Sequence, residues 1–339
     1  MGETAIWLAF MFCLGLIFVA GRKLSILADR LGDETGLGGS WIGVTLLSSV
    51  TSLPELITGF SSVVMADTPD IAIGDILGST AFNVLLLVLI HIITWRQTPL
   101  FAQMGGRHVL PAAFGIVMLG LVAGELLLRQ LGLNVVFLGI GPFVPAILIV
   151  YVVGIRMVFF ATARDLAEGT PGDVAAAAPP GAQSGTVLAI AGVSVFVVAG
   201  GAALPFIGAE LALQMGWNQS FVGTLLIAIA TSAPEIAVTM AAARMGALDL
   251  AVGNVFGSNM FNMVILALDD ILYRQGPLLA HVSLVHAVTA MTTLVMTGIA
   301  IAAMSYRRAS GPSIAVGSMS LVLTLLYIGN AIVMFHLGF

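Results

Sequence analysis

The sequence predicts an all-α, polytopic membrane protein: ten transmembrane helices in two inverted-topology five-helix repeats. Three observations predict it. Of the 339 residues, 59% are apolar and only 9% are charged, against roughly 25% charged in an average soluble domain; charges are too few to clothe a water-soluble globule, so the bilayer is the expected solvent. The apolar residues gather into stretches of about 17 to 25, the length a helix needs to cross the hydrocarbon core. Finally, the chain repeats itself, and the repeated residues are polar ones placed inside apolar spans.

In order, the spans run approximately 5–20, 41–65, 71–95, 108–128, 133–158, 186–208, 217–243, 248–272, 278–304 and 313–336. The first is not expected to be a cleaved leader, because Glu3 and no Lys or Arg precedes its apolar core. The segment 161–185 is rich in Ala, Gly and Pro without an apolar run, and reads as a cytoplasmic linker between residues 1–160 and 186–339. Of the twelve Lys and Arg residues, Arg129 and Arg274 fall on one side of the predicted membrane and the other ten on the opposite side. The positive-inside rule then places both termini outside a plasma or inner membrane. Glu3, Asp67, Asp70, Glu125, Glu210, Asp269 and Asp270 outnumber those two Arg on the outer face, either as a mild attractor of cations or as ordinary solvated helix ends.

Composition also excludes functions. The single cysteine, Cys13, can form no internal disulfide and no thiolate cluster, and a net charge of −5 offers no basic face for nucleic acid. No cofactor is called for, and a monomer in the lipid bilayer is expected.

Residues 41–89 align with 221–268 with one gap, and 16 of 48 pairs are identical. The matches include Thr51/Thr231, Ser52/Ser232, Pro54/Pro234, Glu55/Glu235, Gly78/Gly257, Ser79/Ser258 and Asn83/Asn262. Chance likeness between Leu-rich helices would match Leu and Val instead. Five spans separate the copies, so the second crosses the membrane upside down relative to the first, the plan of alternating-access transporters with midplane sites.

Thr51-Ser52-Leu53-Pro54-Glu55 interrupts the second span and Thr231-Ser232-Ala233-Pro234-Glu235 the seventh. Proline removes a backbone donor, so each helix is expected to break there and expose carbonyls. Carboxylate, hydroxyl and carbonyl oxygens are the ligands that hard cations require. The same S-x-x-E spacing is also a capping box, but Ser alone can cap, whereas each mid-bilayer carboxylate costs at least ~2.5 kcal/mol. In the third span Asp75, Ser79 and Asn83 share a face, as do Asn254, Ser258 and Asn262 in the eighth, with Gly74, Gly78, Gly253 and Gly257 allowing close backbone approach. Asp75 has Asn254 as its repeat partner and is the asymmetric acid: a further cation site, a proton carrier, or a satisfied polar group near the outer mouth. Two turns, about 12 Å, separate it from Asn83, so it is expected to serve a site displaced outward. The five His residues lie singly near span ends, and the 16 Met are read as packing.

T-S-L-P-E and T-S-A-P-E, followed by G-D-I-L-G-S-T-A-F-N and G-N-V-F-G-S-N-M-F-N, resemble the two alpha repeats of the sodium/calcium exchanger family, within the cation/calcium antiporter superfamily. The resemblance implies an antiporter that exports Ca²⁺ in exchange for Na⁺, with four ion sites between the repeats. It implies direct ligand roles for Glu55, Glu235, Thr51, Ser52, Thr231, Ser232, Ser79, Ser258 and Asn83, with Asn262 and Asp75 as further candidates, and a sliding motion of spans one and six. Three departures from the family pattern stand out: Val50 and Ala230 replace the glycine before each motif, Asn262 stands where an Asp is common, and Asp75 is added. A buried carboxylate can exchange a proton as readily as an ion, so a Ca²⁺/H⁺ or other divalent antiporter on the same scaffold is the alternative. An intramembrane protease is disfavoured: there is no Tyr-Asp pair, Asp75 lacks the Gly-x-Gly-Asp setting, and neither H-E-x-x-H nor G-x-S-x-G occurs. A passive cation channel ranks above the protease and below the Ca²⁺/H⁺ antiporter as a rival.

Overall fold

The computed structural model describes residues 2–35, 47–94, 108–133, 135–137, 139–168, 183–305 and 314–337. Among these residues the secondary structure is helical, with one isolated bridge between Phe137 and Ile140. The helices are α1 (Glu3–Thr35), α2 (47–51), α3 (Leu53–Ser61, continued by a π-turn over Ser62–Ala66), α4 (Pro69–Thr94), α5 (Val109–Gln130), α6 (Val144–Glu168), α7 (Gln183–Met215), α8 (Gln219–Thr231), α9 (Ala233–Arg244), α10 (Leu248–Leu272), α11 (His286–Ser305) and α12 (Ile314–Leu337).

Eight of these helices are long and apolar enough to cross a membrane; α8 and α9 form a ninth span bent by 48°. The tenth expected span, 41–65, is represented by α2 and the short apolar α3, and its residues 41–46 lie outside the described residues. Both irregular spans are the ones carrying Pro54 and Pro234. The expected linker also narrows: α6 runs on to Glu168 and α7 begins at Gln183.

Two helices, α4 and α10, form the centre and pack on each other. Each is buried on nearly all sides, which is why α4 lacks a polar stripe although it carries Asp75, Ser79 and Asn83. Lipid offers no hydrophobic drive for helix pairing, so close contact between small residues must supply the attraction. At Gly74 an added Cβ would lie 2.9 Å from the Thr224 nitrogen, and at Gly78 it would overlap the Thr224 carbonyl. Backbone therefore meets backbone where α4 crosses the π-helical stretch Val222–Ile227 of α8.

Outside this centre, α1 and α7 lie along one another. They touch the breaks crosswise: Gly21 of α1 lies against the Pro234 ring, and Gly201 of α7 sits where a Cβ would be 3.2 Å from the Pro54 carbonyl. Thr58 and Ser61 of α3 donate to the α7 carbonyls of Gly201 (3.1 Å) and Ala202 (2.8 Å).

Candidate cation site

Each proline motif produces the break its chemistry demands. Ser52 (φ −85°, ψ 13°) and Ser232 (φ −76°, ψ 9°) leave the helical region, and a new helix starts at the following residue with Pro in its first turn. Lacking N–H groups, Pro54 and Pro234 cannot serve the carbonyls four residues earlier, at Val50 and Ala230.

The capping-box reading is overturned. Neither Ser52 nor Ser232 makes a side-chain bond to its own helix. Instead each hydroxyl crosses to the opposite motif: Ser52 donates to Glu235 Oε1 (3.1 Å) and Ser232 donates to Glu55 Oε1 (3.2 Å). The exchange continues around the site. Thr51 lies 3.4 Å from both Ser258 Oγ and Asn254 Oδ1. Thr231 lies 3.2 Å from Ser79 Oγ and donates to Asp75 Oδ1 at 2.7 Å. Ser79 also donates to the Ala228 carbonyl (3.3 Å), and Ser258 to Glu235 Oε1 (3.4 Å). Residues of α2 and α3 thus close on α9 and α10, and residues of α8 and α9 close on α3 and α4.

All eleven predicted site residues are buried; the bonds just named join nine of them in three separate groups, Thr51–Ser258–Glu235–Ser52, Ser232–Glu55 and Thr231–Asp75–Ser79, and include neither Asn83 nor Asn262. Among the eleven, Glu55 Oε2, Glu235 Oε2, Asp75 Oδ2, Asn262 Oδ1 and both the Oδ1 and Nδ2 atoms of Asn83 have no hydrogen-bond partner. Buried polar oxygens in native proteins are nearly always satisfied, and a buried carboxylate is costly unless paired or bound to a metal. Oxygens of this kind beside hydroxyls and carbonyls make a donor set for a hard cation. Among the described residues no three His, Cys, Asp or Glu side chains converge to hold a metal ion, so hydroxyl, amide and carbonyl oxygens would have to supply most of a cation's shell.

Two expectations are corrected. Asp75 is two turns from Asn83, as expected, but it is not near the outer mouth as a lone group: α4 crosses α8 so closely that Asp75 reaches Thr231 and Ser79 directly. The outer carboxylates are not all solvated ends either. Asp269 and Asp270 are fully buried, Asp270 accepting from the Gly141 and Leu278 amides at 2.8 and 2.7 Å, and Glu125 is buried against Arg129. Sequence reasoning also left Asn254 out of the site, though its place opposite Asp75 in the repeat would have found it; its Nδ2 donates to Thr239 (3.3 Å). Asn262 Nδ2 meets Thr80 Oγ1 (3.3 Å), a contact between helices with no signal in sequence.

The model of the family described as sodium/calcium exchanger protein matches residues 5–160 and 185–335. The chain belongs to that family. Relatives of this exchanger-family chain include the inner membrane protein YrbG of Escherichia coli, 26% identical over 74% of each chain. The putative antiporter CaxA of Alkalimonas amylolytica is 26% identical over 70% of this chain and 71% of its own. The sodium/calcium exchanger MaX1 of Methanosarcina acetivorans is 45% identical over 60 residues, 17% of each. The solved sodium–calcium exchanger NCX_Mj, soaked with 10 mM Na⁺ and 10 mM Sr²⁺, superposes with a TM-score of 0.61 at 19% identity, covering 96% of this chain and 97% of that one. The fold of this family member is therefore the NCX_Mj fold.

Proposed function

We propose that the chain is a secondary cation antiporter that exports Ca²⁺ in exchange for Na⁺ by alternating access, and not an enzyme. The observation that carries this reading is the reciprocal bonding of the two motifs, Ser52 to Glu235 and Ser232 to Glu55, around carboxylate and amide oxygens left without protein partners. Family membership supports it. Glu55 and Glu235, with Asp75, Thr51, Ser52, Thr231, Ser232, Ser79, Ser258, Asn83 and Asn262, are the proposed ligands. One carboxylate pair can neutralise one Ca²⁺ or two monovalent ions, not both sets, so binding is competitive and downhill movement of one ion drives the other.

The repeats are proposed to be 1–160 and 186–339, of opposite topology, with termini outside an inner membrane as the Lys and Arg distribution favours. The crosswise seating of α1 and α7 on the breaks suits them to slide and open the site alternately. Asp75, facing Asn254 across the repeat, favours a second reading in which H⁺ is the counter-ion. In proteoliposomes, ⁴⁵Ca²⁺ uptake driven by an outward Na⁺ gradient at constant pH supports Na⁺ exchange, and uptake driven only by a pH gradient supports the second reading. Uptake indifferent to both sinks coupled exchange.

A further inference from the structure

Asp269 of α10 is fully buried, and neither of its carboxylate oxygens has a hydrogen-bond partner. Its neighbour Asp270 is satisfied by two backbone amides, so burial alone does not account for Asp269. The Asp269 carboxylate lies directly over Gly59 of α3, where a Cβ would come within 2.9 Å of its Cγ and Oδ1. Gly59 follows Glu55 by one turn on the same helical face, which puts Asp269 about 6 Å along α3 from the level of Glu55. It stands within electrostatic reach of Asp75 and Asp270.

The repeat explains what is unusual here. The position equivalent to Gly59 is Thr239, the one equivalent to Asp75 is Asn254, and the one equivalent to Asp269 is Ile90. In the second repeat a Thr239 hydroxyl satisfies the Asn254 amide. In the first, glycine removes the side chain and a carboxylate from α10 fills the space. A carboxylate without donors in a low-dielectric interior costs several kcal/mol, and binding a cation or a proton removes that cost.

We infer that Asp269 is a further cation-binding carboxylate, one turn of α3 beyond Glu55 toward the Asp67 end, which takes a monovalent counter-ion. The inference rests on the antiport reading. Na⁺ and H⁺ share the chemistry of a small cation held by a carboxylate, and the ionisable groups that act on it are Asp75 on α4 and Asp270 on α10, with Glu55 one turn away along α3. Equilibrium binding to the purified full chain tests it. Asp269→Asn should lower bound ²²Na⁺ by about one ion per chain, or remove about one proton from the uptake measured on acidifying a weakly buffered sample. In liposomes it should raise the half-activating counter-ion concentration at least about fivefold, more than it shifts Ca²⁺ affinity. If size-exclusion chromatography shows that variant to be misfolded, Gly59→Ala, which pushes the carboxylate aside, carries the same measurements. Unchanged Na⁺ and proton stoichiometry in the folded variant overturns the inference. Wild-type liposomes without counter-ion-driven Ca²⁺ uptake would instead overturn the antiport reading.

Discussion

At the Ser232 break the Thr231 hydroxyl donates to a carboxylate, Asp75, at 2.7 Å; at the Ser52 break the equivalent Thr51 reaches an amide oxygen, Asn254, at 3.4 Å. Around these two contacts the halves share the T-S-x-P-E residues and one reciprocal bond, each serine to the opposite glutamate. Duplication has therefore fixed where the oxygens stand, while the exchange of one oxygen for an NH₂ group sets how much negative charge they carry. Position is symmetric and charge is not.

The largest effect tests the symmetric part. Glu55→Gln and Glu235→Gln should each lower Ca²⁺ affinity at least about 100-fold, about 2.7 kcal/mol, by calorimetry on purified protein. Near-normal affinity in either variant would break the equivalence of the halves. Next comes the asymmetric part: Asp75→Asn makes the halves chemically alike and should shift the Na⁺ or pH dependence of ⁴⁵Ca²⁺ uptake by about tenfold, with a smaller change in Ca²⁺ affinity. Unaltered coupling would reduce Asp75 to a packed polar group. Ser52→Ala and Ser232→Ala each remove one hydrogen bond to a carboxylate, so each should weaken Ca²⁺ binding about tenfold; a difference of more than about threefold between them would show that the reciprocal bonds are unequal. The last comparison changes no proposed ligand and reads stability instead of ion affinity. Gly21→Ala must displace the rigid Pro234 ring, whereas Gly201→Ala asks for a shift of a few tenths of an ångström at Pro54 and Ile57. Overpacking should cost the first about 1–3 kcal/mol and the second less, read as the difference in thermal unfolding midpoints in detergent.

Much of this was legible in the sequence because the information is local or repeated. The prolines dictate the breaks at Ser52 and Ser232, the repeat pairs Glu55 with Glu235, and spacing of four aligns Asp75, Ser79 and Asn83. What was not legible depends on how helices cross. Capping of their own helices was the weaker reading for the serines, and it is the approach of the opposite motif that gives their hydroxyls other partners. Asp75 looked remote because distance along α4 was visible while the closeness of α4 to α8 was not. Asp269 and Asp270 looked like a solvated helix end because their last turn carries no mark of the Gly59 hollow or of the Gly141 and Leu278 amides that receive them.

The near-complete burial of α4 and α10 has a consequence for how the protein meets its surroundings. Their side chains face other helices, while α1, α6, α7 and α12 present Leu8, Phe12, Ile149, Leu188, Phe196 and Leu325 outward. The residues of the proposed ion site are buried among helices, so we expect ion affinity to be insensitive to lipid composition. The two helices proposed to move, α1 and α7, are among those with apolar outward faces. Bilayer thickness and stiffness are accordingly expected to act on the speed of the proposed cycle more than on its selectivity.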